Sequence, residues 1–236
     1  MSIFDKFFKK KGEVQNNFSE GDVFYAFSDN QYHLYKLLKD DTASGTYHVL
    51  GYESVDHLPN KTNLDELQIS VYHIPIAKTG FGNPKLFSKT KLTDKDFVGY
   101  YEYLKLTQNL EELVPIANKY YLEANHLAEL KKHEEAIKKY SKAIDLLPTF
   151  LEALDNRAFC QMDLGRWNMA IEDFKLSLKV NLKSVLAEFS IGECYLKMKE
   201  YKNAIKQFEK AIAIDPTQQT PKDFLKKAVE LDKANS

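Results

Sequence analysis

The sequence is poor in cysteine, has no long apolar run and has no excess of charge of one sign. Two cysteines, Cys160 and Cys194, among 236 residues cannot form the disulfide framework of a small secreted domain, so a cytoplasmic protein is expected. No apolar run approaches the roughly 18 residues that cross a bilayer, so no transmembrane helix is predicted. The 33 basic and 34 acidic residues nearly cancel, which argues against a nucleic-acid partner.

The N-terminal segment MSIFDKFFKKK lacks the continuous apolar core of a secretory signal. Its apolar residues would share one face of a helix and are followed by three lysines; they are Ile3, Phe4, Phe7 and Phe8. This pattern is typical of short helices that lie on anionic membranes. So short a helix binds a membrane weakly. Residues 1–18 are therefore predicted to be an N-terminal tail, with membrane contact by residues 1–11 as the alternative.

A segment of the C-terminal half occurs three times at a constant spacing. HEEAIKKYSKAIDLLP begins at His133, WNMAIEDFKLSLKVNL at Trp167 and YKNAIKQFEKAIAIDP at Tyr201. The three copies agree at three equivalent positions. The first holds a small residue (Ala136, Ala170 and Ala204), the second an aromatic residue (Tyr140, Phe174 and Phe208) and the third again a small residue (Ala143, Ser177 and Ala211). A second helical stretch precedes each copy and carries its own small residue, at Ala124, Ala158 or Gly192.

This pattern predicts stacked helical hairpins. Small residues let two helix backbones approach closely, and large residues at helical spacing fill the space beside them. A proline at Pro148 and Pro216 ends the second helix of the first and third copies. One hairpin cannot bury its own apolar face, so neighbouring hairpins must stack.

In these residues the chain resembles the tetratricopeptide repeat family. The copies are placed at residues 117–150, 151–184 and 185–218, within an all-α solenoid domain over residues 115–236. A C-terminal capping helix is predicted over residues 220–233, with Thr220 as its N-cap and Pro221 in its first turn. The departures from the family pattern are a missing early tryptophan in each copy and Leu182 in place of a proline.

Residues 19–109 have no repeat and predict a small α+β domain. Strands are expected at 22–28, 31–38, 46–54 and 67–76, with a short fifth strand at 85–88. Ser28, Asp29 and Asn30 form the predicted turn between the first two. A helix is expected from Thr93, capped with Asp96. These elements predict a small antiparallel sheet with one helix, and a partly closed barrel is one arrangement of the strands.

Tyrosine and histidine are neighbours in three predicted strands, at Tyr32-His33, Tyr47-His48 and Tyr72-His73. With a suitable strand register the three histidines would line one face, where imidazoles bind metals. The alternative is that these residues simply suit a half-exposed sheet face. The glycines around Phe81 do not match a phosphate-binding loop, and neither a nucleophile elbow nor a zinc-protease helix motif is present. No catalytic residue, metal or cofactor is therefore predicted.

By resemblance to the family, a partner binds the concave groove formed by the first helix of each pair. The predicted groove residues are Asn118, Tyr121, Asn125, Ala128, Glu129, Glu152, Asp155, Phe159, Met162, Asp163, Leu186, Phe189, Glu193, Leu196 and Lys197. Its acids outnumber its single lysine and stand beside aromatic residues, so the expected partner is a protein or peptide with basic and apolar side chains. The alternative is that the aromatics only pack between repeats and that the acids are ordinary solvated surface.

Some family members clamp the acidic C-terminal tails of heat-shock chaperones with two asparagines and three basic residues. Asn125 and Asn156 match the asparagines, but Tyr121, Leu186 and Ser190 stand at the basic positions. Without cations nothing offsets the lost hydration of a carboxylate. The sequence therefore argues against chaperone-tail binding.

Together these observations predict a non-catalytic interaction or scaffold protein. The richness in Lys, Asn, Tyr and Phe is typical of an AT-rich bacterial genome. In one alternative, the N-terminal domain is a regulatory or toxin-neutralising effector, and the repeats choose its target. In a second, the Tyr-His sheet face carries an enzyme or metal site.

Overall fold

The computed structural model describes residues 18–60, 64 and 67–235. The chain divides into two compact units between Gln108 and Asn109. Residues 1–17 of the predicted N-terminal tail, and with them the alternative of membrane contact by residues 1–11, lie outside the described residues. The elements of the first unit are β1 (Asp22–Ser28), β2 (Gln31–Asp41), β3 (Thr46–Tyr52), β4 (Ile69–Ala77), a 3-10 helix (Lys78–Phe81), β5 (Lys85–Lys89) and α1 (Val98–Leu106).

The second unit contains three helix pairs and a final helix. Its elements are α2 (Leu110–Glu129), α3 (His133–Leu146), α4 (Leu151–Asp163), α5 (Trp167–Val180), α6 (Val185–Lys197), α7 (Tyr201–Ile214) and α8 (Gln219–Ala234). No helix among the residues placed by the structure is both long and apolar enough to cross a membrane.

The first unit is an open antiparallel sheet with strand order β4-β3-β2-β1-β5. β1 and β2 are joined at Asp29 and Asn30, which both have positive φ angles, of 51° and 62°, as a two-residue type I′ turn requires. The partly closed barrel was wrong, because the edge strands β4 and β5 do not pair with each other. The link between them instead inserts Phe81 into the core beside Phe24, with ring centroids 5.1 Å apart.

Both faces of the sheet carry apolar clusters. The first face buries Phe24, Leu37, Tyr47, Val49 and Phe81. The second face buries Val23, Leu34 and Phe87. Two covered faces explain why these strands are rich in apolar and aromatic residues at successive positions rather than strictly alternating.

The helix expected from Thr93 begins later, at Val98. The predicted contact exists, since the Asp96 carboxylate accepts hydrogen bonds from the Thr93 backbone N–H at 2.7 Å and from its hydroxyl at 2.9 Å. The same carboxylate binds the buried ammonium of Lys36 on β2 at 3.0 Å. Residues 94–97 therefore form a turn tied to the sheet instead of the first turn of the helix.

The three helix pairs confirm the repeat pattern. The small residues Ala136, Ala170 and Ala204 are completely buried. Gly192 of α6 approaches Phe208 of α7 so closely that an added Cβ would lie 2.5 Å from a ring carbon. The capping helix also exists, but it begins at Gln219, so Thr220 is not its N-cap. Pro221 is tolerated there because the first N–H groups of a helix have no intrahelical partner.

Candidate functional site in the helical repeats

A hydrogen-bond network joins the first two repeats. The Tyr140 hydroxyl donates to Asn125 Oδ1 at 2.6 Å, and Asn156 Nδ2 donates to the same oxygen at 3.1 Å. Asn156 Nδ2 also lies 3.3 Å from the Tyr121 hydroxyl. Burial raises the pKa of Tyr140 to about 12, so its hydroxyl remains a donor. The network fixes both asparagine side chains by bonds within the protein.

A cavity of about 350 Å³ lies beside this network. Its lining residues come from α2, α3, α4 and the turn between α2 and α3: Asn125, Ala128, Glu129, Lys131, His133, Tyr140, Asn156, Phe159, Cys160 and Asp163. Five of them are predicted groove residues, namely Asn125, Ala128, Glu129, Phe159 and Asp163. We call this cavity the repeat pocket.

The charges of the repeat pocket are mainly acidic. Glu129 and Asp163 are exposed, and His133 Nε2 lies 3.7 Å from Asp163 Oδ2. Lys131 is the cation of the lining. An exposed carboxylate keeps its hydration until a partner displaces the water, so Glu129 and Asp163 are available for charge pairing with a basic side chain.

The remaining predicted groove residues differ in exposure. Asn118, Glu152, Leu186 and Lys197 are exposed, and Tyr121, Met162, Phe189, Glu193 and Leu196 are half-buried. Burial raises the pKa of Glu193, and the charge of Lys197 opposes that shift.

Asp155 departs from the expectation of a groove surface. Its side chain is only 8% exposed. Burial raises its pKa, the neighbouring Ser177 hydroxyl opposes this shift, and the charge of Glu152 adds to it. A lysine at position 155 would therefore disturb packing, and it would not serve as a simple test of the groove surface.

Two predicted aromatics pack between helices. Phe159 contacts Phe174 edge to face with centroids 5.3 Å apart. Phe189 lies 5.6 Å from Phe208 and 5.1 Å from Phe224. Both rings therefore contribute to repeat packing, although Phe159 also borders the repeat pocket.

The three positions at which a chaperone-tail clamp would need cations hold none here. Tyr121 is hydrogen-bonded into the network, Leu186 is 48% exposed and Ser190 is 1% exposed. A carboxylate placed beside Asn125 and Asn156 would therefore contact only the asparagine amides and the Tyr121 hydroxyl. None of the three positions would supply a charged hydrogen-bond donor.

Sequence reasoning missed the contribution of second helices to the pocket. Lys131 has a φ of 61° in the turn after α2, and His133 opens α3. The recurring aromatic Tyr140 was a usable signal, because its polar hydroxyl must find a partner when buried. The predicted groove includes only positions of the first helix of each pair.

The histidines of the sheet are not gathered on one face. His48 Nδ1 and His73 Nε2 are 2.9 Å apart, and their rings stack with centroids at 5.1 Å. His33 lies on the face of the sheet opposite to His48. His33 shares its face with Leu37, which pairs with Val49 of β3. His48 is the neighbour of Val49 along β3 and therefore points to the other face. The described residues contain no group of three or more potential metal ligands. The three-histidine arrangement was therefore wrong.

The two cysteines, Cys160 and Cys194, are free and buried. Burial raises the pKa of Cys160 to about 11 and that of Cys194 to about 12. Thiols that stay protonated are poor nucleophiles, which fits the role of small apolar residues in the repeat core.

Comparisons with known proteins place the repeats in a family. The tetratricopeptide repeat model matches residues 185–218. Small glutamine-rich tetratricopeptide repeat-containing protein 2 of Mycosarcoma maydis is 29% identical over 103 residues, 44% of this chain and 29% of that protein. Hsp70-Hsp90 organizing protein 2 of Arabidopsis thaliana is 29% identical over 106 residues, 44% of this chain and 19% of that protein. The chain thus covers less than a third of either relative.

Solved structures of similar proteins include repeat domains. The first TPR of Spaghetti (RPAP3) bound to the HSP90 peptide SRMEEVD has a TM-score of 0.46 and 23% identity, covering 48% of this chain and 90% of that one. The Sgt2 TPR domain from Aspergillus fumigatus has a TM-score of 0.47 and 27% identity, covering 51% and 82%. The family model thus covers the third helix pair, and the first two pairs share its pattern of buried small residues.

Proposed function

We propose that the tetratricopeptide repeat domain binds a segment of a partner protein that carries basic and apolar side chains, without catalysis. The observation that carries this proposal is the repeat pocket, where Glu129, Asp163 and Phe159 line one cavity of about 350 Å³. A lysine or arginine of the partner would pair with the carboxylates, and its aliphatic stem would pack on the ring. We place this role in the cytoplasm of a bacterial cell.

A second candidate function is the binding of acidic chaperone tails. It is favoured by the likeness to chaperone-related proteins and by Asn125 and Asn156. Three features argue against it. Tyr121, Leu186 and Ser190 replace the cations. Asn156 Nδ2, which would have to donate to a carboxylate, already donates to Asn125 Oδ1 and to the Tyr121 hydroxyl. The pocket also bears two exposed carboxylates. Like charges would face a tail rich in glutamate.

The proposal is tested by charge reversal of the repeat pocket. The double variant Glu129→Lys/Asp163→Lys should retain the fold, because both side chains are exposed. The matched control is Glu172→Lys/Glu209→Lys, which makes the same charge change at exposed positions of α5 and α7. Immobilised full chains would be used to capture proteins from a lysate of the source organism, followed by quantitative mass spectrometry.

We expect partners to be retained by the wild type and the control but lost from the pocket variant. Added salt should weaken the wild-type interaction, since the attraction is electrostatic. Equal retention by the pocket variant at low salt would contradict the proposal. A labelled peptide ending in EEVD should show no binding in fluorescence polarisation; saturable binding to the wild type would favour the chaperone alternative.

A further inference from the structure

The first unit has a free strand edge beside its β1–β2 turn. β1 pairs with β2 from Val23 to Ser28, but it pairs with β5 only from Asp22 to Tyr25. Ala26, Phe27 and Ser28 therefore extend beyond the neighbouring strand. The link between β4 and β5 places Phe81 in the cluster of the first face, and β5 begins only at Lys85.

The backbone of Phe27 is directed at this free edge. In an antiparallel pair, residues alternate between bonding across the pair and pointing away from it. Tyr32, opposite Phe27, points away from β1, because its N–H and C=O bind the backbone of Val55 at 2.8 and 3.0 Å. The backbone N–H and C=O of Phe27 therefore point away from β2, and no residue in the described part of the chain forms a backbone hydrogen bond with them.

A cavity of about 570 Å³ adjoins the edge. Five aromatic residues border it, Tyr25, Phe27, Tyr32, Tyr35 and Phe81. Of these, Tyr35 and Phe81 belong to the apolar cluster of the first face. The Phe27 side chain is 57% exposed, and Tyr35 and Phe81 pack edge to face at 5.2 Å. We call the edge of residues 26–28 together with this cavity the strand notch.

The charge of the strand notch is basic. Among the described residues that line the cavity, Lys85 is the one with a full charge, and it is exposed. His33 adds a polar ring held by Ser54 Oγ at 2.7 Å. The notch therefore differs from the repeat pocket in the sign of its charge and in the backbone groups that it offers.

We infer that the strand notch binds an extended segment of an acidic partner protein by strand addition. The backbone of one partner residue would form two hydrogen bonds with Phe27. The side chain of a neighbouring apolar residue would enter the aromatic cavity, and a carboxylate would pair with Lys85. Side chains alternate along a strand, so the segment would carry its apolar and acidic residues at alternating positions.

The probe for this inference is a phage-displayed library of random peptides of about twelve residues, panned on the full chain. The selected peptide would be labelled and titrated in fluorescence polarisation. Phe27→Pro removes the edge N–H, and an edge strand tolerates proline. Lys85→Glu reverses the charge at an exposed position and keeps the test valid even if Phe27→Pro fails to fold.

We expect selected peptides in which apolar residues alternate with Asp or Glu. Phe27→Pro should weaken binding about tenfold or more through the loss of a backbone hydrogen bond and the changed edge geometry. Lys85→Glu should weaken it severalfold at low salt and less at high salt. Ile69→Pro, at the start of the opposite edge strand β4, and the repeat-pocket variant should both bind as the wild type does.

Three results would overturn the inference. One is the absence of any selected peptide that binds the purified chain. Another is unchanged affinity in Lys85→Glu and in a folded Phe27→Pro. The third is a dimer of the wild type in sedimentation that Phe27→Pro abolishes, because a second copy would then occupy the notch. Peptides lost only from the repeat-pocket variant would support the proposed function and count against the notch.

Discussion

At the scale of single residues, Gly192 is the position where the repeat packing leaves least room. An added Cβ would lie 2.5 Å from Cε1 and 2.7 Å from Cδ1 of Phe208. We expect Gly192→Ala to be destabilising: the overpacking costs about 1–3 kcal/mol, and the better helix propensity of alanine returns up to about 1 kcal/mol. Urea unfolding followed by circular dichroism measures the difference.

A second variant identifies the cause. In the background Phe208→Leu the ring is gone, so Gly192→Ala should cost less than it does in the wild type. Equal costs in both backgrounds would show that the glycine is not limited by this contact.

The ion pair between half-buried Arg157 and buried Asp173 is a second contact at the scale of residues. Arg157 Nε and Nη2 bind the two oxygens of Asp173 at 2.8 and 2.6 Å, and Nη1 binds Ser141 Oγ at 2.9 Å. These bonds join α3, α4 and α5. Because Asp173 is 5% exposed, Asp173→Ala should leave a poorly hydrated guanidinium and cost about 3 kcal/mol or more of unfolding free energy.

The matched control is the exposed pair of Arg166 and Glu134, which also links neighbouring repeats. Glu134→Ala should leave the midpoint of chemical denaturation almost unchanged, because exposed ion pairs contribute little. A similar loss for both variants would mean that burial is not what makes the Arg157 pair important.

At the scale of elements, α1 is packed over the histidine pair. Tyr100 and Tyr103 of α1 lie 5.1 and 5.4 Å from His48 and 5.5 and 4.6 Å from His73. Gly99 permits this approach, since a Cβ there would lie 2.6 Å from the backbone of Tyr72. A charge on His73 would be poorly hydrated beneath the helix and would lie beside a second imidazole.

This packing predicts an acid-sensitive contact. Burial, and then the charge of His48, lower the pKa of His73 to about 4, from about 6.5 in an unfolded chain. Folding therefore favours the neutral form of His73. The free energy of unfolding is highest, as far as His73 is concerned, above pH ~6.5, and it falls as the pH decreases toward ~4. The slope should stay below about 1.4 kcal/mol per pH unit.

Urea unfolding at several pH values, followed by near-ultraviolet dichroism of tyrosine, measures this slope. In His73→Gln the fall of stability between pH ~6.5 and ~4 should be shallower than in the wild type, because the titrating group is gone. Parallel pH profiles for the two proteins would refute the assignment.

At the scale of the whole molecule, the second unit should fold by itself. Each repeat contacts its neighbours, and α8 covers the last one through Ala228 and Phe224 against Phe208. We expect residues 109–236 to give a helical spectrum and a cooperative transition. The single tryptophan of the chain, Trp167, packs against the core of the middle repeat, so its fluorescence should change together with the dichroism. Separate transitions or a coil spectrum would contradict an independent unit.

The helical half of the protein follows from the amino-acid sequence alone. The 34-residue spacing, the buried small residues and the capping helix follow from contacts between neighbouring segments, which a periodic sequence specifies locally. The β1–β2 turn was predictable for the same reason, because Asp29 and Asn30 accept positive φ angles.

The order of the strands and the composition of both candidate sites depend on long-range packing. Strand pairing joins distant segments, and a one-residue change of register moves every side chain to the other face; this is why His48 and His73 meet while His33 does not. Asp155 is buried and the repeat pocket includes Lys131, His133 and Tyr140, because burial depends on how helices of different repeats stack. The free edge at Phe27 likewise depends on where β5 begins relative to β1, a spatial relation that local sequence patterns do not encode.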